Sequence, residues 1–237
     1  MTITNLGSDV LTTLPDLPRW LEARGLLLSR RGFVVDTADG CRLICGRKER
    51  VVVPVTVELS PLLETTALRE VPHATILVQD VMLPAARYHL PDWTAEPATL
   101  YTLPADRARA WPLPEWPTSP LSAEQISALT HLPYPMRDTL LDAVTHGPVW
   151  GASMDGQPMS FAHTALATEL WFDVEVYTLD AARNRGLGRA AAMGLIVDRM
   201  LQGLRPVWGA TRSNEASNRL ARRLGFEPVD LVWLLTQ

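Results

Sequence analysis

The segment from Trp171 to about Leu201 constrains the fold of this chain more than any other. It begins with a run of high β propensity that ends at Leu179. A glycine-rich turn follows from Arg183 to Gly188, and the apolar periodicity after the turn is that of a helix. A strand, a glycine-rich turn and a helix in this order allow backbone N–H groups at the helix start to bind a phosphate. The segment therefore predicts an α/β fold with an anion-binding turn.

The turn has a composition that separates it from two common phosphate-binding loops. Gly186 and Gly188 allow the main chain to approach an anion closely, and arginines at 183, 185 and 189 add positive charge. A P-loop requires Gly-Lys-Ser/Thr, but Lys48 is the only lysine in the sequence. A dinucleotide fingerprint requires three spaced glycines, and this turn has only two of them. It also requires an acidic residue at the end of the following parallel strand to bind the ribose, and the sequence has none there.

The remaining C-terminal sequence predicts a regular series of elements around the turn. Ser122, with Glu124 and Gln125 after it, predicts the start of a helix, and a second helix is predicted over 134–144. Asp155-Gly156 predicts a tight turn between two strands. The predicted series is strands over 148–154, 157–163 and 171–179, a helix ending near 201, a strand over 206–211, a helix over 214–224 and a strand or hairpin over 226–235.

The first ninety residues predict a small mixed α/β region without a chemical motif. Helices are predicted over 14–28 and 60–71, and strands over 32–36, 41–45, 51–53 and 74–78. Cys41 and Cys45 are too few for a structural zinc site, so core packing is the expectation for both. The proline-rich segment 90–120 carries Trp93, Trp111 and Trp116, which predicts that it packs against a domain, with a strand over 99–103.

Composition limits the classes of function. The 237 residues allow one large domain or two small ones, and 47% hydrophobic with 20% charged residues is ordinary for a globular protein. A net charge of −4 without a basic block disfavours nucleic acid as a partner. No apolar run reaches the length of a membrane-spanning helix, and residues 1–19 lack the pattern of a signal peptide. We therefore expect a soluble, cytoplasmic protein with no membrane partner.

The turn and its flanks resemble the GNAT (GCN5-related N-acetyltransferase) superfamily. Arg183-x-x-Gly-x-Gly188 is similar to its pyrophosphate loop, and Asn214-x-x-Ser-x-x-Leu220 followed by Leu-Gly-Phe226 is similar to its last helix. The resemblance covers about 148–226 well. It implies the GNAT acyl-CoA N-acyltransferase fold, a mixed and mostly antiparallel sheet flanked by helices, over 98–237, preceded by the region 1–97. A degenerate second copy of the domain in that region remains an alternative.

The resemblance also implies acetyl-coenzyme A as the cofactor and a primary amine of a small molecule or protein as the acceptor. Val176 to Leu179 resembles the strand that pairs with the pantetheine arm. Asn214 is equally explained as a helix N-cap. No metal is implied, and a homodimer is left open. The cofactor-binding residues implied are Val176, Tyr177, Thr178, Arg183, Asn184, Arg185, Gly186, Leu187, Gly188, Arg189, Asn214 and Ser217.

Asp173 and Glu175 are the candidate catalytic residues. A period of two places them on one face of the strand, with Tyr177, while Phe172, Val174 and Val176 share the core face. A carboxylate beside the cofactor loop could deprotonate the amine, whereas the alternative is a solvated or ion-paired strand face.

Two further residues bear on the proton transfers. His163 on the preceding strand is a second possible proton carrier. Many family members place a tyrosine after the leucine of the last helix to protonate the leaving thiolate, but Ala221 stands there. An acetyl-coenzyme A binder without catalysis therefore remains the alternative function.

Overall fold

The computed structural model describes residues 2–4 and 8–237. The start of the region considered for a signal peptide, residues 1 and 5–7, lies outside the described residues. The strands are β1 (Thr2–Thr4), β2 (Gly32–Asp36), β3 (Arg42–Gly46), β4 (Val51–Pro54), β5 (Thr75–Gln79), β6 (Thr94–Thr102), β7 (Thr118–Leu121), β8 (Val149–Met154), β9 (Gln157–His163), β10 (Trp171–Asp173), β11 (Glu175–Thr178), β12 (Arg205–Thr211) and β13 (Glu227–Thr236). The helices are α1 (Ser8–Thr13), α2 (Leu21–Leu28), α3 (Leu63–Glu70), α4 (Leu83–His89), α5 (Ala105–Arg109), α6 (Ala123–Ser127), α7 (Tyr134–His146), α8 (Leu187–Leu201) and α9 (Glu215–Leu224).

The strands form two sheets that meet at the centre of the C-terminal half. A nine-stranded sheet has the order β1-β2-β3-β4-β5-β13-β6-β12-β10, and a four-stranded sheet has the order β11-β9-β8-β7. Within the described chain, only β4 with β5 and β10 with β12 pair in parallel. The predicted α/β fold with a mostly antiparallel sheet is therefore confirmed.

The two halves of the chain repeat one order of elements. From β1 to β6 the order is strand, two helices, three strands, helix, strand, helix, strand. From β7 to β13 the same order returns, with its third central strand divided into β10 and β11. The last strands are exchanged, because β13 pairs with β5 of the first half and β6 pairs with β12 of the second. This symmetry agrees with the alternative of a degenerate second copy. The predicted boundary at 97/98 falls inside β6, and the position of any boundary remains a prediction.

Several expectations about local structure are met, and others are not. Ser122 and Gln125 form the reciprocal capping box at the start of α6. The tryptophans of the proline-rich segment pack as expected, since Trp93 is 7% exposed and the Trp111 Nε1–H donates to the Leu224 carbonyl at 3.0 Å. The apolar spacing of the two helices predicts that Val197 of α8 and Ala216 of α9 face inward, but both are exposed. On α8 the neighbouring Leu195 and Ile196, both 0% exposed, take the inward positions.

Helix α8 lies against β8, β9 and β11 in the second half. Its inward face is built of small residues, including Ala191 and Ala192, both 0% exposed. A Cβ added at Gly194 would lie 2.3 Å from Cε3 of Trp150. The helix that carries the glycine-rich turn is therefore held against the sheet by close contacts.

Replacing Gly194 with alanine should lower the free energy of unfolding by about 1–3 kcal/mol, because the tryptophan ring must move to admit the methyl group. Urea denaturation would measure the change. Gly147→Ala is the matched control, since no heavy atom lies within 4 Å of a Cβ there. Equal stabilities of the two variants would contradict this packing.

The first half contributes a second hydrophobic core and a contact with the second half. Cys41 and Cys45 are buried in this core as unpaired thiols, as expected, and burial raises the pKa of Cys45 to about 12. Helix α2 packs on the loop between β9 and β10, where a Cβ at Gly25 would lie 2.9 Å from the Cβ of Leu166. The Trp171 Nε1–H donates to the Asp16 carbonyl at 3.1 Å. No helix in the described part of the chain is long and apolar enough to cross a membrane.

Candidate active site

The predicted strand over 171–179 is two strands that separate at Val174. β10 pairs in parallel with β12, from Trp171 opposite Arg205 to Asp173 opposite Val207. β11 leaves β12 and pairs with β9 in the other sheet, from Glu175 opposite His163. A wedge-shaped cleft therefore opens between β11 and β12, directly beside the glycine-rich turn.

The edge of β11 that faces this cleft has no neighbouring strand. The Leu179 N–H donates to the Met159 carbonyl on the β9 side, whereas the Val174 N–H donates to the Val207 carbonyl on the β12 side. Because backbone groups alternate along a strand, the N–H groups of Val176 and Thr178 point to the β12 side, where β12 has diverged. The strand thus presents unpaired amides to an extended ligand.

The glycine-rich turn places the start of α8 at the mouth of the cleft. Asn184 and Gly186 have left-handed backbone conformations, with φ of 61° and 87°, which reverse the chain into the helix. No side chain caps the helix in the described structure, so its first N–H groups remain available. The Trp116 Nε1–H donates to the Arg185 carbonyl at 2.7 Å and fixes the turn from outside. Together these features form an anion site at a helix N-terminus.

The cleft is a cavity of about 910 Å³ that extends from the turn to α7. Most of the sequence-predicted site residues line it. They are Glu175, Val176, Tyr177, Thr178, Arg183, Asn184, Gly186, Leu187, Gly188, Arg189, Asn214 and Ser217. A Cβ at Gly188 would lie 3.0 Å from Thr178 Oγ1 and 3.5 Å from Val176 Cγ1, so the missing side chain is part of the space.

Two of the predicted residues do not line this cavity. Arg185 lines a neighbouring hollow of about 490 Å³, together with Arg189 and Arg223, which border both spaces. Its side chain approaches the sulfur of Met154 at 3.5 Å. Asp173 lies on β10, before the strands separate, and is only partly exposed.

Helix α9 closes the other wall of the cleft. The Asn214 side chain accepts from the Ser217 N–H at 3.1 Å, so Asn214 is the N-cap and also lines the cavity. The Trp208 Nε1–H donates to Ser217 Oγ at 2.9 Å, which leaves the hydroxyl proton of Ser217 free to be donated elsewhere. Ala221 is 0% exposed and packed in the core. No hydroxyl can therefore reach the cleft from that position.

Glu175 and His163 face each other across β11 and β9. Glu175 Oε2 lies 3.3 Å from Nε2 of His163, and both residues line the cavity. The His163 side chain is 9% exposed, whereas that of Glu175 is 52% exposed. Glu175 therefore has solvent access and a histidine nitrogen within contact distance in the cleft.

Asp173 belongs to a group of carboxyl groups that reaches into the first half. Burial, and then the negative charges of Glu175 and Glu22, raise the pKa of Asp173 well above its ordinary value. Burial, with Glu175 and Glu49, raises the pKa of Glu22 on α2 to about 7, while Arg31 opposes this shift. Both carboxyl groups therefore hold protons at pH values where exposed ones are ionised.

The raised pKa of Glu22 predicts a specific pH dependence of stability. An unfolded glutamate releases its proton near 4.5, but the folded one holds it to about 7, so this contribution to stability is complete below 4.5 and lost as pH rises through 7. Glu22→Gln should remove that loss. We expect the variant to gain about 1–2 kcal/mol on wild type between pH 4.5 and 8. Urea denaturation at both pH values measures it, and the exposed Glu58→Gln should show no such gain.

Several residues at the site were not predicted from the sequence. Trp208, Arg219 and Arg223 line the cavity from elements whose existence was predicted, but no motif marked these side chains. Met136 and Thr139 of α7 line the far end of the cavity. The sequence predicts this helix but does not show that it faces the cavity. Glu22 lies about 150 residues from Asp173 in sequence, and nothing local could have joined them.

Comparison with known proteins gives a consistent result. Residues 145–231 match the GNAT acetyltransferase family model. A GCN5-related N-acetyltransferase-like protein from Streptococcus suis 89/1591 superposes with a TM-score of 0.65 and 16% identity, over 97% of this chain and 96% of its own. For a GCN5-related N-acetyltransferase from Kribbella flavida the TM-score is 0.63 and the identity 20%, over 92% and 93%.

A third solved structure covers almost the whole of this chain. A tandem GNAT protein from the clavulanic acid biosynthesis pathway superposes with a TM-score of 0.57 and 13% identity, over 99% of this chain and 98% of its own. At these identities the solved structures show a shared fold. Among curated proteins, none matches the chain in sequence.

Proposed function

We propose, from the premise that the C-terminal region of this chain belongs to the GNAT acetyltransferase family, that the protein is an N-acetyltransferase that uses acetyl-coenzyme A. The observation that carries the proposal is the cleft between β11 and β12, with an open strand edge on one side and an uncapped helix N-terminus at its mouth. The acceptor is a primary amine of a small molecule or protein that enters the cavity from the α7 side.

The residues of the cleft fit the parts of acetyl-coenzyme A. The amides of Leu187, Gly188 and Arg189 suit a pyrophosphate, because the first N–H groups of a helix have no carbonyl partner within it. Val176 and Thr178 offer amides to an extended amide-bearing arm at the β11 edge. The hollow beside Arg185, Arg189 and Arg223 suits a further phosphate through guanidinium contacts.

The chemistry supplied by the bound group is a thioester carbonyl that a neutral amine can attack. Glu175 lines the cavity, has solvent access and lies within contact of His163, so it is placed to take the amine proton. The amide of Val176 is available to stabilise negative charge that develops on a carbonyl oxygen. Holding the amine and the carbonyl in line supplies much of the remaining rate.

Ser217 offers a way to protonate the leaving sulfur without the usual tyrosine. Its hydroxyl oxygen is held by the Trp208 indole, and its own hydrogen is free to be donated toward the cavity. Tyr177 is another hydroxyl that lines the cleft, and it is 39% exposed. Ala221 has no hydroxyl, so the position on α9 where many family members carry a tyrosine supplies no proton donor for the sulfur.

The proposal is tested by incubating the protein with acetyl-coenzyme A and a panel of primary amines. We expect free thiol to appear only when an amine is present, together with N-acetylated product detected by mass spectrometry. A second function, binding without transfer, is favoured by the buried Ala221. Tight binding of acetyl-coenzyme A, with no release of free thiol in the presence of any amine, would contradict the enzyme and support a sensor. No binding at all would contradict both.

A further inference from the structure

The cavity of the cleft has one wall without charged side chains, and this wall lies on the acceptor side. It consists of five residues at the start of α7, a set we call the α7 wall: Pro133, Pro135, Met136, Thr139 and Leu140. Helix α7 packs on β9, whose last residue, His163, lies opposite Glu175. The α7 wall is therefore continuous with the place where the proposed reaction would occur.

The side chains of the α7 wall offer apolar contact and no free hydrogen-bond donor. Proline, methionine and leucine side chains have no hydrogen to donate. The hydroxyl of Thr139 donates to the Pro135 carbonyl at 2.9 Å, so its hydrogen is already used. Leu140 is 1% exposed and belongs to a core cluster with Leu121 and Phe161, which holds the wall in place. Such a wall favours apolar groups, because contact with it removes their surface from water.

The charged residues that the structure shows along the cavity lie elsewhere. The arginines that line it belong to the turn, α8 and α9, and they are Arg183, Arg189, Arg219 and Arg223. Among the described residues, Glu175 is the only acidic one that lines the cavity. Arg137 and Asp138 follow Met136 on α7 but do not line it. A second ammonium or a carboxylate held against the α7 wall would therefore lose water without gaining an ion pair.

We propose that the acceptor is a primary amine with an apolar, uncharged body, which packs against the α7 wall while its amine faces Glu175. The position of the amine rests on the proposed function, whereas the apolar subsite does not. Sites for small molecules combine mostly apolar walls with a few placed polar groups. Glu175 and His163, which line the same cavity, are those polar groups here. Alkylamines and arylalkylamines belong to this class of acceptor, whereas polyamines, amino sugars and amino acids do not.

The experiment compares amines of equal size that differ only at the end remote from the amine. Hexylamine ends in a methyl group, 5-amino-1-pentanol in a hydroxyl group and 1,5-diaminopentane in a second ammonium group. Their binding to the full chain is measured by isothermal titration calorimetry near pH 8, both alone and with saturating coenzyme A. We expect hexylamine to bind at least about tenfold more tightly than either of the others, as an apolar pocket discriminates single groups on this scale.

Variants of the α7 wall locate the preference. Met136→Gln adds a polar amide at nearly the same size and should reduce the preference for hexylamine to about threefold or less. Met200→Gln is the matched control, because Met200 is also half-buried but lines neither the cavity nor the neighbouring hollow. Thr139 is exposed, so Thr139→Asp can place a carboxylate on the wall of a folded protein. This variant should bind the diamine at least as tightly as hexylamine.

The outcomes distinguish this proposal from the proposed function. Equal affinities for the three amines, tighter binding of the diamine or the amino alcohol to wild type, or no binding of hexylamine at millimolar concentration would each overturn the apolar subsite. An unchanged preference in both wall variants would also overturn it. A preference that is lost in Met136→Gln and kept in Met200→Gln would support it. If that preference is found but acetyl-coenzyme A neither binds nor reacts, the subsite stands and the acetyltransferase proposal fails.

Discussion

Gly188→Trp is expected to weaken binding of acetyl-coenzyme A by at least about 100-fold, or about 2.7 kcal/mol. Gly188 is the second residue of α8, where the helix faces the cleft. A Cβ there would lie 3.0 Å from Thr178 Oγ1 and 3.7 Å from Leu220 Cδ2, so any further atoms must occupy the space between β11 and α9. An indole would fill the path from the turn to the open strand edge.

Isothermal titration calorimetry with acetyl-coenzyme A provides the measurement, and circular dichroism shows whether the variant is folded. Gly147→Trp is the matched control, because no heavy atom lies within 4 Å of a Cβ at that position. The control should bind as wild type does. Unchanged affinity in a folded Gly188→Trp protein would mean that the ligand does not pass between the turn and β11, and the proposed site would have to be abandoned.

The C-terminal half could be predicted from sequence because its signals are local. The glycines of the turn, the Asn214 cap and the alternation along 171–179 each concern neighbouring residues, and the structure brings most of the residues they mark into one cavity. Gly186 adopts the positive φ that its residue type favours. Gly225 ends α9 in the same way, with φ of 87°.

The first half could be predicted only as separate elements. The sequence patterns predict β2 to β5 and the regions of α2 and α3, but they do not predict β1, α1 or α4. The pairing of β13 with β5 and of β6 with β12 joins residues far apart in the chain. No local propensity specifies such pairings. The division of the predicted strand 171–179 at Val174 also depends on distant residues. Its first part, β10, pairs with β12, whereas its second part, β11, pairs with β9.

The two predicted catalytic residues, Asp173 and Glu175, show both what local sequence signals predict and what they cannot predict. Period two correctly groups Asp173 and Glu175 by residue spacing, but the strand leaves one sheet for the other between them. Glu175 consequently lines the cavity, while Asp173 remains where the sheet is closed and where Glu22 approaches from the other half. Their assignment as catalytic residues stays a prediction, and kinetics can separate them.

Glu175→Gln is expected to lower kcat by about 100- to 1,000-fold, the range that a lost general base produces. The amide keeps the size and the contact distance to His163 but cannot accept the proton of the amine. The KM for acetyl-coenzyme A should stay within about twofold of wild type, because Glu175 contributes its carboxylate, and not its backbone edge, to the reaction. Steady-state kinetics with the best amine of the panel would measure both constants.

Asp173→Asn and Glu58→Gln complete the comparison. Asp173 does not line the cavity, so Asp173→Asn should change kcat by less than Glu175→Gln does. Glu58→Gln alters an exposed carboxylate of the first half and should change neither constant. A fall in kcat that is larger for Asp173→Asn than for Glu175→Gln would transfer the role of base to the buried carboxyl group. The raised pKa of that group would then mark it as the tuned proton acceptor of the site.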